Sequence, residues 1–123
     1  MANLCSDTKG GIDMCTEVNI KEGMPVVYEA LKSLEGYIKI RKSYGYRCLI
    51  VIHGYGSTGK GGAICKQVRS WLKAQERNKK LKSVIFGEDF DIYNEKSISL
   101  NSRYKELKKY FCQCNHGVTI IEL

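Results

Sequence analysis

One stretch of the chain decides its fold: Ile50-Val51-Ile52-His53-Gly54-Tyr55-Gly56-Ser57-Thr58-Gly59-Lys60-Gly61-Gly62. A β-branched apolar run leads into a histidine and then into five glycines within nine residues, and an amphipathic basic segment follows. This order predicts a strand, a tight turn and a helix. Because glycines lack a Cβ, backbone N–H groups can approach an anion there, and the first turn of the helix adds unpaired donors. The stretch therefore predicts a phosphate-binding loop.

A nucleotide-binding loop is one interpretation of this stretch. Gly54, Gly59 and Lys60 satisfy the spacing G-x-x-x-x-G-K, in which the lysine reaches the terminal phosphates. The next residue, Gly61, has no hydroxyl with which to hold magnesium. A small P-loop-like nucleotide-binding protein is therefore kept as the alternative function.

The composition is that of one soluble domain. The chain has 123 residues, 43% of them hydrophobic and 27% charged, which suits a single core. It has no apolar run of membrane-spanning length and no signal-peptide pattern at the N-terminus, so we expect a cytoplasmic protein without a membrane partner. The six cysteines are then expected to be free thiols.

The net charge of +7 is concentrated in the middle of the chain. Residues 53–80 contain seven Lys and Arg and one acid, Glu76. At about 100° per residue, four bases form one side of the predicted helix, and an apolar set lies nearly opposite. A cationic ridge beside an anion-binding turn favours DNA or RNA, with a solvated helix face as the alternative. The cationic ridge is Lys66, Arg69, Lys73 and Arg77, and the apolar set is Ile64, Val68, Trp71 and Leu72.

Two separated motifs resemble the Smr (small MutS-related) domain family. One is His53-Gly54-Tyr55-Gly56 at a strand end, followed by Gly61-Gly62-Ala63-Ile64 and Val68-Arg69-Ser70-Trp71-Leu72. The other is Gly117-Val118-Thr119-Ile120-Ile121-Glu122-Leu123, which is similar to the family's final strand. The resemblance covers roughly residues 18–86 and 116–123.

The resemblance implies a fold and a class of ligand. The fold is a two-layer α/β sandwich with a mixed four-stranded sheet and two main helices, similar to the C-terminal domain of translation initiation factor 3. Family members bind DNA or RNA, and several nick or cleave it as endonucleases, that is, as phosphodiester hydrolases. The family's His-Gly-x-Gly motif carries over onto His53, Gly54 and Gly56. No cofactor is indicated for binding alone. If the chain cleaves nucleic acid, a divalent metal is a possible cofactor.

The chain departs from the family pattern on its first strand. The family's Leu-Asp-x-His motif aligns with Val18-Asn19-Ile20-Lys21, so Asn19 replaces the acid and Lys21 replaces the histidine. An amide does not take up a proton near neutral pH, so Asn19 cannot act as a general base, whereas Lys21 adds charge that favours phosphate. We therefore prefer a binding module to an endonuclease, and leave the oligomeric state open.

His53 has three candidate roles: phosphate contact, acid catalysis, and ordering of the loop. We favour phosphate contact, because no acid or second histidine completes a catalytic set. His53 is still the candidate catalytic residue if the chain cleaves. Tyr55 lies between glycines and is predicted to stack on a base. The full predicted phosphate-binding set is His53, Gly54, Tyr55, Gly56, Ser57, Thr58, Gly59, Lys60, Gly61, Gly62, Lys66, Arg69, Lys73, Arg77 and Lys21.

The remaining pattern places the other elements. Residues 1–16 lack periodicity and are expected to be a flexible lead-in to a domain at 17–123. Pro25 suits a first helical position, and Gly45 is expected to end that helix near Ser43. The predicted strands lie at 17–21, 46–52, 81–86 and 117–123, and the basic helix at about 62–77.

Residues 87–115 are interpreted as an insertion before the last strand. Ser102 is predicted to cap a short helix with Tyr104, Leu107 and Phe111 as its buried stripe, packed over a sheet edge or shaping the groove. Cys112, Cys114 and His116 alternate, as on one face of a strand, and could begin a zinc site with Cys5 or Cys15. We prefer these cysteines as small packing residues and assign no metal ligand.

Overall fold

A computed structural model describes residues 14–20, 26–54 and 59–123. Two short 3-10 helices, Gly87–Asp89 and Lys105–Tyr110, occur beside the main elements. No helix in these three ranges is long and apolar enough to cross a membrane. The main elements are β1 (Cys15–Asn19), α1 (Val27–Ser43), β2 (Cys48–Ile52), α2 (Gly59–Arg77), β3 (Ser83–Phe86), α3 (Glu95–Arg103) and β4 (Val118–Glu122).

The four strands form one mixed sheet in the order β1-β2-β4-β3. β1 and β2 are parallel, and β4 runs antiparallel to both of its neighbours, β2 and β3. Together with α1 and α2, this sheet confirms the predicted α/β sandwich with a mixed four-stranded sheet and two main helices. The likeness to the C-terminal domain of translation initiation factor 3 stays a prediction.

β2 lies inside the sheet and is apolar on both faces, as expected for a strand covered on both sides. Leu49 and Val51 join one core with α1 and α2. Cys48 and Ile50 join a second core on the opposite face. The apolar set predicted for α2 lies on the first core: Ile64, Val68 and Leu72 are buried, and Trp71 packs against them partly buried.

The second core is covered by residues 87–115. Phe90, Leu100 and Leu107 are 1% exposed or less and pack on this face of the sheet. The segment therefore covers this second face of the sheet. The prediction from the sequence was that it packs over a sheet edge or shapes the groove.

The predicted cap of the short helix is wrong. α3 is capped by Asn94, whose Oδ1 accepts hydrogen bonds from the backbone N–H groups of Lys96 (3.0 Å) and Ser97 (3.3 Å). Ser102 lies in the last turn of α3 instead. The stripe beyond it belongs to the second 3-10 helix and its flanks, where Leu107 is buried as predicted.

The element boundaries differ from the prediction by three residues at most. β1 begins at Cys15, inside the predicted 1–16 lead-in, and residues 1–13 lie outside the described part of the chain. α2 begins at Gly59, three residues earlier than expected. α1 ends at Ser43 with Gly45 at a φ of 90°, which confirms the predicted stop.

We predict that Phe90→Ala lowers the free energy of unfolding by about 3–5 kcal/mol, because it empties the centre of the second core. Urea denaturation measures this loss. Tyr93→Ala is the matched control: the Tyr93 side chain is 90% exposed, and its loss should change stability by no more than about 0.5 kcal/mol. Equal effects of the two changes would mean that residues 87–115 do not pack on the sheet.

Candidate nucleic-acid interface

The predicted site lies where the two parallel strands end. Asn19 pairs with Ile52 in the β1–β2 register, and the N–H of Ile20 donates to the Ile52 carbonyl at 3.0 Å. His53 and Gly54 follow β2, and their N–H groups both donate to the Gly117 carbonyl, at 3.1 and 3.0 Å. The first strand, with its altered motif, therefore ends beside the His53 strand.

Much of the glycine loop lies outside the described residues. These loop residues are Tyr55, Gly56, Ser57 and Thr58, and Lys21, after the first strand, also lies outside the described residues. Gly59, Lys60, Gly61 and Gly62 form the first turn of α2, of which only the backbone is described.

His53 is buried, with 1% of its surface exposed, and both ring nitrogens are hydrogen-bonded. Nδ1 lies 2.8 Å from the Gly54 carbonyl and Nε2 lies 2.8 Å from Thr119 Oγ1. Arg69 can only donate, and its Nε–H reaches the same hydroxyl at 3.2 Å. A carbonyl oxygen can only accept, so Nδ1 carries a proton and donates it to Gly54. When the ring is neutral, Nε2 has no proton and accepts the hydrogen bond from the Thr119 hydroxyl.

The environment of His53 favours that neutral form. Burial, with a further contribution from the Arg69 charge, lowers the pKa of His53 to about 4, although the Gly54 hydrogen bond and the Glu88 charge act in the opposite direction. In the described conformation neither nitrogen can contact a phosphate unless an existing bond breaks. These contacts therefore match the role in which His53 orders the loop. From the sequence, contact with a phosphate was the favoured role.

Arg69 connects three separate parts of the chain. Its Nη1 and Nη2 donate to the two carboxylate oxygens of Glu88, at 2.7 and 2.6 Å. Nη2 also reaches the backbone carbonyls of His116 and Val118, at 3.2 and 3.1 Å. The ion pair is largely shielded from water, with side-chain exposures of 13% for Arg69 and 21% for Glu88. This is a planar, bidentate arginine–carboxylate pair.

Glu88 is a site residue that sequence reasoning missed. Its position depends on Gly87, since a Cβ there would collide with the Asn115 carbonyl and with Val118. Burial raises the pKa of Glu88, but the hydrogen bonds and charge of Arg69, together with a backbone hydrogen bond and the nearby His116, outweigh it and hold that pKa below its ordinary value. The acidic front of the 87–115 segment was visible in the sequence, but its pairing with Arg69 was not.

The structure corrects the predicted cationic ridge. Arg69 is taken up by Glu88, and Lys73 Nζ lies 3.4 Å from Glu76 with its side chain 41% exposed. Of the four bases in the predicted ridge, Lys66 and Arg77 are exposed. The two bases between them, Arg69 and Lys73, are ion-paired.

The strand geometry proposed for a zinc site is also wrong. Cys112 and Cys114 have left-handed backbones, with φ of 62° and 52°, so they do not alternate on a strand. Cys15 is buried in β1 in the second core beside Cys48, and Cys5 lies outside the described residues. Within the described ranges no group of three or more His, Cys, Asp or Glu side chains could hold a metal ion.

These features define an α/β domain with a glycine loop between β2 and α2. Residues 23–88, more than half of the chain, match the model of the Smr domain, so the protein belongs to the Smr family. No significant match is found among curated proteins or among solved structures. Family membership supports a nucleic-acid-binding or nuclease-like domain in general. The match begins after the altered first-strand motif.

We predict that neutral His53 makes the protein sensitive to acid. The folded-state pKa of about 4 lies below the unfolded value of about 6.5, so protons bind the unfolded chain more strongly. The stabilisation is complete above pH 6.5 and is lost as the pH falls towards 4, by about 2–3 kcal/mol in all.

The measurement is urea denaturation of the wild type and of His53→Asn between pH 7 and pH 4. Asparagine can still donate to the Gly54 carbonyl but does not titrate, and every carboxylate is common to both proteins. The wild type should lose its advantage over the variant as the pH falls. Parallel stability curves would show that His53 is not held neutral.

Proposed function

We propose that this protein is a nucleic-acid-binding Smr domain whose glycine loop holds a phosphate of DNA or RNA. The observation that supports this most is the arrangement of β2, the loop and α2 within the region that matches the family. The last residue of β2 is Ile52 and α2 begins at Gly59, so a short glycine-rich connection leads directly into a helix N-terminus. Unpaired N–H groups and the positive end of the helix dipole bind anions at such a position.

Exposed bases on α2 extend this proposed site. The first turn of α2 contains no acid. Lys66 lies roughly 10 Å along the axis from Gly59 at 1.5 Å per residue, and Arg77, eleven residues further, returns to nearly the same side of the helix. We infer that Lys66 and Arg77 contact the phosphate backbone, with Lys73 partly available. Arg69 then positions the loop through His53 and does not itself contact phosphate.

Binding without cleavage is the form of the activity that we propose. Asn19 replaces the family's acid at the end of β1, and Lys21 replaces its histidine. His53 is neutral and both of its nitrogens are engaged, so proton transfer to a leaving oxygen would require this network to open. A divalent metal enters the proposal only if cleavage is found.

We predict that Lys66→Ala with Arg77→Ala weakens binding several-fold and lowers the slope of log K against log salt. The expected loss of slope on duplex DNA is about 0.9 for each phosphate contact removed. Fluorescence anisotropy at several salt concentrations, with a labelled duplex and a structured RNA, measures both quantities.

The control for this experiment removes the same charge from the other face of the sheet. Lys105 and Lys108 are exposed in the second 3-10 helix, and their double alanine variant should keep nearly the full slope. If the two double variants behave alike, α2 has no special role and only net charge attracts the nucleic acid.

We also predict that Asn19→Asp with Lys21→His raises cleavage from a low or absent baseline. The change returns a carboxylate to the end of β1, which pairs with the strand before His53, and an imidazole to the sequence position two residues further on. Supercoiled DNA and structured RNA, each with and without Mg²⁺ or Mn²⁺, are the substrates. Strong wild-type cleavage that this reversion leaves unchanged, and that His53→Ala abolishes, would make the protein an endonuclease of a different design.

A small P-loop-like nucleotide-binding protein is the alternative. It rests on the spacing of Gly54, Gly59 and Lys60. A rise in melting temperature that requires both ATP and Mg²⁺ would favour it. We expect no such rise, because Gly61 supplies no hydroxyl to the metal.

A further inference from the structure

The end of the 87–115 segment brings a thiol, an imidazole and a carboxylate together. Cys114 Sγ lies 3.6 Å from His116 Nε2. On the other side of the same ring, His116 Nδ1 lies 3.5 Å from Glu88 Oε2. Glu88 is in turn fixed by the two hydrogen bonds from Arg69. A nucleophile, a base and a group that orients the base occur here in the order found in thiol active sites.

The thiol of this cluster is accessible. Cys114 is exposed, and the His116 side chain is 45% exposed. Cys114 and His116 line an open cleft of about 510 Å³ that also includes Gly54 and Gly117. A small molecule can therefore reach the sulfur at the side of the sheet where β2 ends.

The neighbouring Cys112 provides a comparison within the same chain. It is also exposed and also has a left-handed backbone, with a φ of 62°. The His116 ring contacts Cys114, with 3.6 Å between Nε2 and Sγ. The remaining described cysteines, Cys15, Cys48 and Cys65, are buried.

We propose that Cys114 is a nucleophilic thiol that undergoes exchange with small disulfides, with His116 as its base and Glu88 as the residue that positions His116. The proposal requires the tautomer in which the His116 proton lies on Nδ1, the nitrogen nearer Glu88, so that Nε2 faces the thiol as an acceptor. This proposal does not rest on the proposed nucleic-acid binding, although the thiol cleft includes Gly54 of the glycine loop.

The exchange proceeds in balanced steps. The thiol proton of Cys114 passes to His116 Nε2, and the thiolate sulfur attacks one sulfur of the disulfide. A new S–S bond forms to Cys114 as the original one breaks. The departing thiolate takes the proton back from His116. Cys114 is oxidised to a mixed disulfide, and the small disulfide is reduced to one thiol.

Two charged groups face the imidazole. Glu88 approaches Nδ1, and Arg69 lies behind Glu88 and donates to the His116 backbone carbonyl at 3.2 Å. The carboxylate stabilises an imidazolium next to the thiolate. The guanidinium disfavours that imidazolium, but its charge is largely neutralised by Glu88.

Site-resolved alkylation of the full chain tests the proposal. The protein is treated briefly with iodoacetamide from pH 6 to pH 8.5, and peptide mapping then gives the rate at each cysteine. At pH 6.5 we expect Cys114 to react at least about tenfold faster than Cys112, because the thiolate is the nucleophile. The alkylation rate at Cys112 should rise steeply between pH 6 and pH 8.5, whereas the rate at Cys114 should change much less.

Variants separate activation from simple exposure. His116→Ala should reduce Cys114 to the rate of Cys112 and give it the same steep pH profile. Glu88→Gln should give a profile between the two, since the amide still accepts a hydrogen bond but carries no charge. Circular dichroism and urea denaturation confirm that each variant is folded. Oxidised glutathione should then form a mixed disulfide on the Cys114 peptide before the Cys112 peptide.

Two outcomes would overturn the proposal. One is equal reaction of Cys112 and Cys114 in the wild type. The other is an excess rate at Cys114 that survives in folded His116→Ala. Neither outcome bears on the salt-dependence experiment, so failure of the thiol site and failure of nucleic-acid binding are distinguishable.

Discussion

The Arg69 guanidinium is the interaction on which the geometry of this site depends. From the middle of α2 it binds Glu88 after β3, reaches two backbone carbonyls at the start of β4, and donates to Thr119, which in turn fixes His53. Only arginine offers five donors in one rigid plane. A lysine at this position could hold one carboxylate oxygen but could not also orient the threonine hydroxyl. The histidine at the end of β2 is therefore positioned by a residue sixteen places further along the chain.

This network gives residues 87–115 a place in the site as well as in the core. The segment packs Phe90, Leu100 and Leu107 on the second face of the sheet, which fixes both of its ends. Its first turn supplies Glu88, and the chain beyond its last 3-10 helix supplies Cys114 and His116. An exposed thiol and imidazole could not keep a fixed separation on a loop without such an anchor, because ordering each side chain has an entropic cost.

The sequence predicted the parts of this structure that depend on local pattern. The apolar stripe of α2 and the β-branched run of β2 follow from periodicity, and both are observed. The prediction that Arg69 binds phosphate failed to include Glu88, and the reason is physical. Helical periodicity shows on which side of α2 Arg69 lies, but it cannot show that a carboxylate nineteen residues later in the sequence pairs with it. Cys112 and Cys114 were placed on a strand because two-residue spacing suggests one, whereas their left-handed backbones arise from the tertiary path of the chain. The short helix was predicted to begin after Ser102, whereas α3 begins after Asn94; both residue types have a side-chain oxygen that can cap a helix.

The departures from the family pattern all make the electrostatic potential at the loop more favourable for a phosphate. A carboxylate 4 Å from a bound phosphate would oppose binding by about 1 kcal/mol in water and about 4 kcal/mol near a protein surface. Asn19 removes that opposition at the end of β1, Glu88 is neutralised by Arg69, and His53 is neutral. In the proposed function, a phosphate at the loop is then held by the positive end of α2, with the exposed Lys66 further along the same helix. Such a field favours retention of phosphate, whereas position 19, which aligns with the family's acid, holds an asparagine that cannot act as a general base. In the proposed function, the substitutions that remove the cleavage groups are the same ones that favour binding.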